Sequence, residues 1–152
     1  MFKIIKLAIT FFAFFQIVGC GAGANGILFE EYKKSLSMKS DEATIIVYRE
    51  NQAGGFGIPI YLDFEKVGIL LPRGYLALKV SALEEHVLNT KEGSQAVDAI
   101  RTTVFLEPNT IEYLRWDLFL SPIPLVSSTS KLVKVEKGVA IHDLNALRNS
   151  IE

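Results

Sequence analysis

The sequence predicts a mainly β protein, an antiparallel β-sandwich or meander with a short N-terminal helix or lead-in and a C-terminal helix. From Ala43 onward the chain consists of short runs rich in β-branched and aromatic residues, which favour strands. Turn-forming residues separate these runs at close and regular spacing, as hairpins require. Repeated hairpins without intervening long helices are typical of antiparallel sandwiches.

Eight strands are expected, each bounded by turn residues. They are Thr44–Arg49, Ile58–Asp63, Lys66–Leu71, Tyr75–Val80, His86–Thr90, Ala96–Leu106, Ile111–Leu120 and Lys131–Glu136. Pro59 has no backbone N–H to donate, so the second strand is expected at a sheet edge or at the beginning of a paired stretch.

Helices are expected at both ends of this β-rich region. Leu28, Tyr32 and Leu36 recur every fourth residue, which predicts a short helix or ordered lead-in over Ile27–Lys39. Toward the C-terminus, Val139–Ile151 carries its apolar residues at helical spacing and predicts an amphipathic helix.

The first 20 residues have the pattern of a bacterial secretion signal that ends in a lipid-attachment cysteine. Lys3 and Lys6 precede an apolar run, Leu7–Phe15. This run is too short for a comfortable membrane-spanning helix, which needs roughly 20 apolar residues. The sequence Ile17–Cys20 then has the residue order of a bacterial lipobox.

Cys20 is the only cysteine of the chain. An exported protein with one cysteine forms no internal disulfide, and acylation would remove an otherwise reactive thiol. We expect signal cleavage between Gly19 and Cys20, and two or three acyl chains at Cys20, which together anchor a protein stably. Gly21 stands where an aspartate commonly retains lipoproteins in the inner membrane. The expected location is therefore the outer membrane of a bacterial cell envelope.

These patterns divide the chain into three parts. Residues 1–19 are the expected signal peptide, and residues 20–42 the lipidated cysteine with a flexible tether and lead-in. Residues 43–152 form the expected β-sandwich domain with its C-terminal helix. Removal of 19 residues from 152 leaves 133, about one domain. This mature part carries 14 basic and 17 acidic residues, so it has no basic footprint for nucleic acid.

The run Gly21–Gly26 also fits the G-x-G-x-x-G pattern of a dinucleotide-binding loop. A nucleotide-binding oxidoreductase would use Gly21, Gly23 and Gly26 to bring the backbone close to a pyrophosphate. Against this function, the preceding apolar stretch, Ile4–Val18, is about twice as long as a normal strand. The downstream hairpins also differ from repeated strand–helix units, so we interpret the glycines as a flexible tether.

One stretch of the β-rich region resembles a known family. Its matching segments are Tyr48-Arg49, Pro59–Asp63, Lys66–Gly68 and Gly74-Tyr75. Their order and spacing are similar to those of bacterial lipoproteins catalogued as domain of unknown function 2846. The match covers Ala43–Asp117, about half of the mature chain, and the family's turn glycine is replaced in Asp63-Phe64-Glu65. The resemblance implies a lipid-anchored β-sandwich with no established activity and brings no catalytic residues.

Few side chains of the sequence are candidates for catalysis or for binding a metal or ligand. The two histidines, His86 and His142, lie in separate predicted elements, and a zinc site would need further ligands at suitable spacing. No metal, cofactor or catalytic residue is therefore expected. Tyr61, Tyr75 and Trp116 offer a possible binding surface, although core packing accounts for the same residues.

We therefore expect a lipid-anchored, non-enzymatic envelope lipoprotein with an unidentified ligand. Its expected partners are the membrane, through the lipid anchor, and an envelope protein or polymer. Two alternatives stay open: a nucleotide-binding oxidoreductase-like protein, and an unrecognised periplasmic hydrolase. The second stays open because a catalytic triad assembles in space and leaves no fixed order in the sequence.

Overall fold

The computed structural model describes residues 23–50, 56–90, 101–119 and 129–150. Its elements, in chain order, are α1 (Phe29–Ser35), β1 (Glu42–Arg49), β2 (Ile58–Leu62), β3 (Glu65–Leu70), β4 (Gly74–Ser81), β5 (Glu85–Asn89), β6 (Thr102–Phe105), β7 (Ile111–Phe119), β8 (Thr129–Lys134), α2 (Lys137–Leu144) and β9 (Arg148–Asn149).

The strands form two sheets. One has five strands in the order β8-β7-β1-β4-β9, and the other has four in the order β3-β2-β5-β6. Neighbouring strands are antiparallel except for β1 with β7 and β4 with β9, which are parallel. The predicted mainly β, antiparallel fold is confirmed, as a sandwich of two mostly antiparallel sheets. Some strands that follow each other in the chain, such as β1 and β2, lie in different sheets.

Strand β1 is the centre of the five-stranded sheet and is buried on both faces. Successive strand side chains point to opposite faces. Ile45 and Val47 belong to the larger hydrophobic cluster, which lies between the sheets. Ile46 and Tyr48 belong to a second cluster on the other face. The nearly continuous apolar run of β1 reflects this double burial.

Both helices cover the outer face of the five-stranded sheet. Phe29 of α1 and Ala140 and Leu144 of α2 pack in the second cluster together with Tyr48 and Tyr75. A helix of seven residues is marginal in water by itself, so burial of Phe29 against the sheet stabilises α1. The domain therefore has three layers: helices, five-stranded sheet and four-stranded sheet.

The C-terminal helix is shorter than predicted. Helix α2 ends at Leu144 rather than at Ile151, and β9 follows it in parallel with β4. Leu147 is buried in the second cluster, and the Ser150 N–H donates to a β4 carbonyl at 2.8 Å. Leu144 and Leu147 are three residues apart, a spacing that fits a helix but also fits a turn in which both side chains are buried. The spacing of apolar residues alone therefore does not locate the C-terminus of α2.

The remaining bounds lie close to the predicted ones, with two exceptions. Helix α1 is shorter than the predicted Ile27–Lys39. Strand β6 begins at Thr102 rather than at Ala96. Residues 96–100 of the sixth predicted strand and residue 120 of the seventh lie outside the described residues.

Candidate functional site

Residues 24–28 hydrogen-bond to the sandwich, and we call this segment the N-terminal latch. The Ala24 N–H donates to Pro72 O, in the β3–β4 turn, at 3.1 Å. The Gly26 N–H donates to Asn149 O, in β9, at 3.0 Å. The predicted flexible tether is therefore ordered from Ala24 onward, because the domain satisfies its backbone groups.

The latch, the β3–β4 turn and the C-terminal residues meet at Gly74, the first residue of β4. A Cβ atom at this position would stand 2.8 Å from the Ala24 Cβ and 2.9 Å from Leu71 O, so any larger side chain would overlap both. Ser150 closes the same corner, because its Oγ accepts a hydrogen bond from the Leu71 N–H at 3.1 Å. We call this corner the latch end of the sandwich.

The predicted cleavage and lipidation residues, Gly19 and Cys20, lie outside the described residues, as does Gly21. Of the fingerprint glycines, Gly26 donates its N–H to Asn149 O, which makes that N–H unavailable to a pyrophosphate. The N–H of Phe29, the first residue of α1, likewise donates to Leu147 O, between α2 and β9, at 3.1 Å. A dinucleotide-binding loop would need such groups to face its ligand.

The three aromatic residues of the predicted binding surface do not share one surface. Tyr75 is fully buried beneath α1, and its hydroxyl donates to Ile27 O at 3.3 Å. Burial raises the pKa of Tyr75 to about 12. Trp116 is 3% exposed and lies between the sheets, whereas Tyr61 is half-buried in β2 of the other sheet. The prediction is wrong for Tyr75 and Trp116, because each lies on a covered face of its strand.

A polar network links α2 to the centre of the five-stranded sheet. Tyr48 Oη donates to Asp143 Oδ2 at 2.9 Å, and Arg115 Nη1 donates to the same oxygen at 3.4 Å. Arg115 also donates to both carboxylate oxygens of Asp117, at 2.8 and 3.2 Å. Burial, and then the Asp143 carboxylate, raise the pKa of Tyr48 far above its ordinary value. The phenol therefore stays neutral, which suits a structural contact.

A fully buried arginine, Arg49, ends β1 on the face toward the other sheet. Its guanidinium carbon lies 4.7 Å from the centroid of the Trp116 ring, within cation–π range. Its Nη1 donates to Phe56 O at 2.8 Å. Burial lowers the pKa of Arg49. Because the register partner of Arg49 is Gly74, these contacts fix the backbone of Phe56 at the latch end.

His86 joins two turns at the end of the sandwich opposite the latch end. We call His86, Asp63 and Ser81 together the His86 clasp. His86 Nδ1 lies 2.7 Å from Asp63 Oδ2, and Nε2 lies 2.9 Å from Ser81 O. A carboxylate and a carbonyl only accept, so both contacts are hydrogen bonds only when both ring nitrogens carry protons. Burial lowers the pKa of His86, but the hydrogen bonds with Asp63 and Ser81 outweigh it and leave that pKa raised.

The clasp holds a strained turn. Asp63 and Phe64 connect β2 to β3 with left-handed backbone, at φ 50° and 71°. Two positive φ values in succession are typical of the type I′ hairpin turn, in which asparagine and glycine are preferred. Asp63 stabilises the turn from its side chain, because Oδ1 accepts the Val87 N–H at 2.8 Å while Oδ2 contacts His86.

The His86 clasp predicts that stability falls at high pH. A histidine pKa raised above 6.5 stabilises the fold fully below that pH and loses this contribution as pH rises through the folded-state pKa. We therefore expect the free energy of unfolding, measured in urea between about pH 5 and pH 9, to decrease above pH 6.5. His86→Gln should abolish this decrease and His142→Gln should keep it. A wild-type profile that stays flat across this range would contradict the assignment.

A polar cleft of about 250 Å³ lies beside β1 and β4; it is lined by Asp41, Glu42, Lys79, Val80 and Ser81. The Glu42 carboxylate lies 3.2 Å from Lys39 Nζ and 4.0 Å from Lys79 Nζ. The hydrogen bond from the Lys39 N–H lowers the pKa of Glu42. Two charges that line this cleft, Glu42 and Lys79, are therefore paired with each other.

Within the described ranges, no group of three His, Cys, Asp or Glu side chains is placed to hold a metal ion. Over the same residues, neither helix is long and apolar enough to cross a membrane. In comparisons with known proteins, the chain matches no family model and no curated protein sequence. The resemblance to domain of unknown function 2846 stays a prediction.

Asp63 and Asp143, which hold the clasp and the network, are not among the candidate residues predicted from the sequence. A signal existed for Asp63, because an aspartate at a turn between two strands commonly binds nearby backbone N–H groups. Asp143 offers no comparable signal, since its partner Tyr48 lies 95 positions earlier in the chain.

Proposed function

We propose that the protein is a lipid-anchored lipoprotein of the bacterial cell envelope whose β-sandwich is a non-enzymatic binding or structural module. The observation that carries the proposal is the N-terminal sequence, in which basic residues, a short apolar run and a lipobox end at the single cysteine, Cys20. Its partner is an envelope protein or polymer, and its location is the outer membrane.

The position of the latch supports this proposal. Ala24 is the first latch residue and follows Cys20 by four positions. Four extended residues span at most about 14 Å. Acyl chains on Cys20 would therefore hold the folded domain directly beside the bilayer, and the anchor and the sandwich would behave as one unit.

The buried polar side chains support a structural or binding role rather than catalysis. A general acid or base must exchange protons with a substrate within hydrogen-bond reach. Tyr48 instead binds Asp143 and so joins β1 to α2. Both ring nitrogens of His86 contact groups in two turns of the same domain. Each group bridges two elements of the domain.

Metabolic labelling with radioactive palmitate tests the anchor. The wild-type protein should incorporate label and sediment with membranes, and Cys20→Ser should lose both properties. Val139→Ser is a matched control, because Val139 is an exposed residue of α2 and its replacement leaves the lipobox intact. A wild-type protein that takes up no label would overturn the proposal.

A second variant tests the location. Gly21→Asp places an aspartate directly after the lipidated cysteine and should move the labelled protein from the outer-membrane to the inner-membrane fraction. Gly21→Ala should leave the distribution unchanged. Wild-type protein found mainly with the inner membrane would contradict the outer-membrane assignment while leaving the anchor itself in place.

A further inference from the structure

Four residues at the latch end expose side chains that suit a lipid headgroup layer, and we call them the seat. Phe56 is 66% exposed, the largest value among the large hydrophobic residues of the described ranges, and Ile27 is 44% exposed. Arg73 and Arg148 are exposed cations, and one guanidinium nitrogen of Arg148, Nη1, donates to Gly26 O in the latch at 3.1 Å. Apolar side chains beside arginines are the composition of surfaces that lie in a membrane interface.

Backbone contacts gather the seat residues around one turn. The Arg148 N–H donates to Arg73 O at 3.3 Å, and Ile27 O accepts a hydrogen bond from β9 at 2.9 Å. Phe56 O accepts a hydrogen bond from Arg49, the last residue of β1. Arg49 is paired with Gly74, which directly follows Arg73. The four residues therefore belong to one end of the sandwich.

This end is also where the rest of the N-terminal chain arrives. The latch begins at Ala24, which is bound to Pro72 beside Arg73, and Cys20 precedes it by four residues. The tether of about 14 Å compares with a headgroup layer of roughly 5 to 8 Å on each side of a bilayer. An acylated Cys20 would leave little space between the seat and the lipid.

Both ends of the sandwich carry charges of both signs. The opposite end has the exposed carboxylates Glu65, Glu84, Glu85 and Glu107 beside Lys66 and Arg101, and it exposes Phe64, Leu83 and Phe105. At the latch end Glu30 and Glu31 are exposed at the start of α1 and Glu50 is partly buried, but the two seat arginines lie at the turn to which the latch is bound. Lipid phosphates attract arginine. The tether and these two arginines together therefore favour the latch end as the side that faces the bilayer.

We propose that the seat rests in the headgroup layer of the bilayer that anchors the protein. Phe56 and Ile27 would lie at the boundary of the acyl chains, and Arg73 and Arg148 would bind lipid phosphates. This proposal rests on the lipid anchor proposed above. It gives the anchored domain a fixed orientation, in which the turns that carry the His86 clasp point away from the membrane.

Fluorescence quenching by lipid tests the seat in the full-length lipoprotein. The protein is reconstituted into vesicles of phosphatidylethanolamine and phosphatidylglycerol that contain lipids brominated near the headgroup end of the acyl chain. Trp116 is the only native tryptophan, and it is buried, so it supplies a constant baseline. In Phe56→Trp the added fluorescence should fall about twofold, as expected for a side chain in the interface.

Phe105→Trp is the matched control, because Phe105 is also exposed, at 58%, but lies at the opposite end in β6. Its fluorescence should not change. Adding Arg73→Glu and Arg148→Glu should relieve the quenching in Phe56→Trp, whereas Lys66→Glu should not.

Any of the following outcomes would contradict the proposal that the seat rests in the headgroup layer. Equal quenching at both positions would mean an unoriented domain. Protection of Phe56→Trp from an aqueous quencher without quenching by lipid would assign this end to a second copy or another protein. Vesicle flotation separates the two proposals: full-length protein that floats without selective quenching contradicts the seat alone, and protein that does not float contradicts the anchor as well.

Discussion

Replacing Trp116 by alanine should lower the free energy of unfolding by about 3–5 kcal/mol, the range for a large aromatic residue removed from a core. Trp116 packs between the sheets among the residues of the larger cluster, and its ring lies against the buried guanidinium of Arg49. The variant would leave a cavity and also remove the aromatic face from a buried cation. Urea unfolding followed by circular dichroism measures the loss.

Trp116→Phe is the matched control for this prediction. Phenylalanine keeps an aromatic ring beside Arg49, and it removes an indole Nε1 that has no hydrogen-bond partner among the described residues. We expect a smaller loss, about 1–2 kcal/mol, because the cavity left by one ring is smaller than the cavity left by the whole side chain. Equal losses for phenylalanine and alanine would show that the Arg49 contact and the filled volume contribute little.

Removal of the Asp143 carboxylate should have the next largest effect. Asp143→Ala leaves the buried Tyr48 hydroxyl without its acceptor and takes one carboxylate from Arg115. Loss of a partner from a buried pair costs several kcal/mol. Arg115 keeps Asp117, however, and its side chain is 29% exposed, so we expect about 2–3 kcal/mol.

Tyr48→Phe tests the same contact from the other side. It removes one hydrogen bond but retains the ring in the core, and the expected loss is about 1 kcal/mol. Combined with Asp143→Ala in a double-mutant cycle, the two changes should be clearly non-additive, because they remove one shared contact. Additive losses would contradict the network as the link between α2 and the sheet.

The strands were predictable because their local patterns are strong. The run Thr44–Arg49 is β-branched and apolar, and Tyr75–Val80 lies between clear turn residues, so both indicate strands without knowledge of their partners. Pairing was not predictable. The parallel neighbours of β1 and β4 come from β7 and β9, which lie far along the chain, and no local pattern specifies such a partner.

Among the candidate sites too, only those marked by a local pattern could be predicted from the sequence. The lipidation of Cys20 is predicted from contiguous residues alone, so this prediction needs no knowledge of the fold. The aromatic surface required two unknown facts, the sheet and the face to which each residue belongs. Tyr61 and Tyr75 belong to β2 and β4, which only β3 separates along the chain, yet they lie in different sheets. The latch was also hidden, because Ala24 and Gly26 reach Pro72 and Asn149 only after the chain has folded.

With the proposed anchor at Cys20, mechanical load would enter the domain through the latch. A pull from the N-terminus would act first on the hydrogen bonds of Ala24 and Gly26, and we expect these few bonds to open before the paired strands separate. While the latch is closed, the chain between Cys20 and Ala24 spans at most about 14 Å; release of residues 24–28 would extend the free chain to the first residue of α1, a span of at most about 32 Å. Under the proposed anchoring, opening of the latch would therefore lengthen the connection to the membrane while the sandwich itself stays folded.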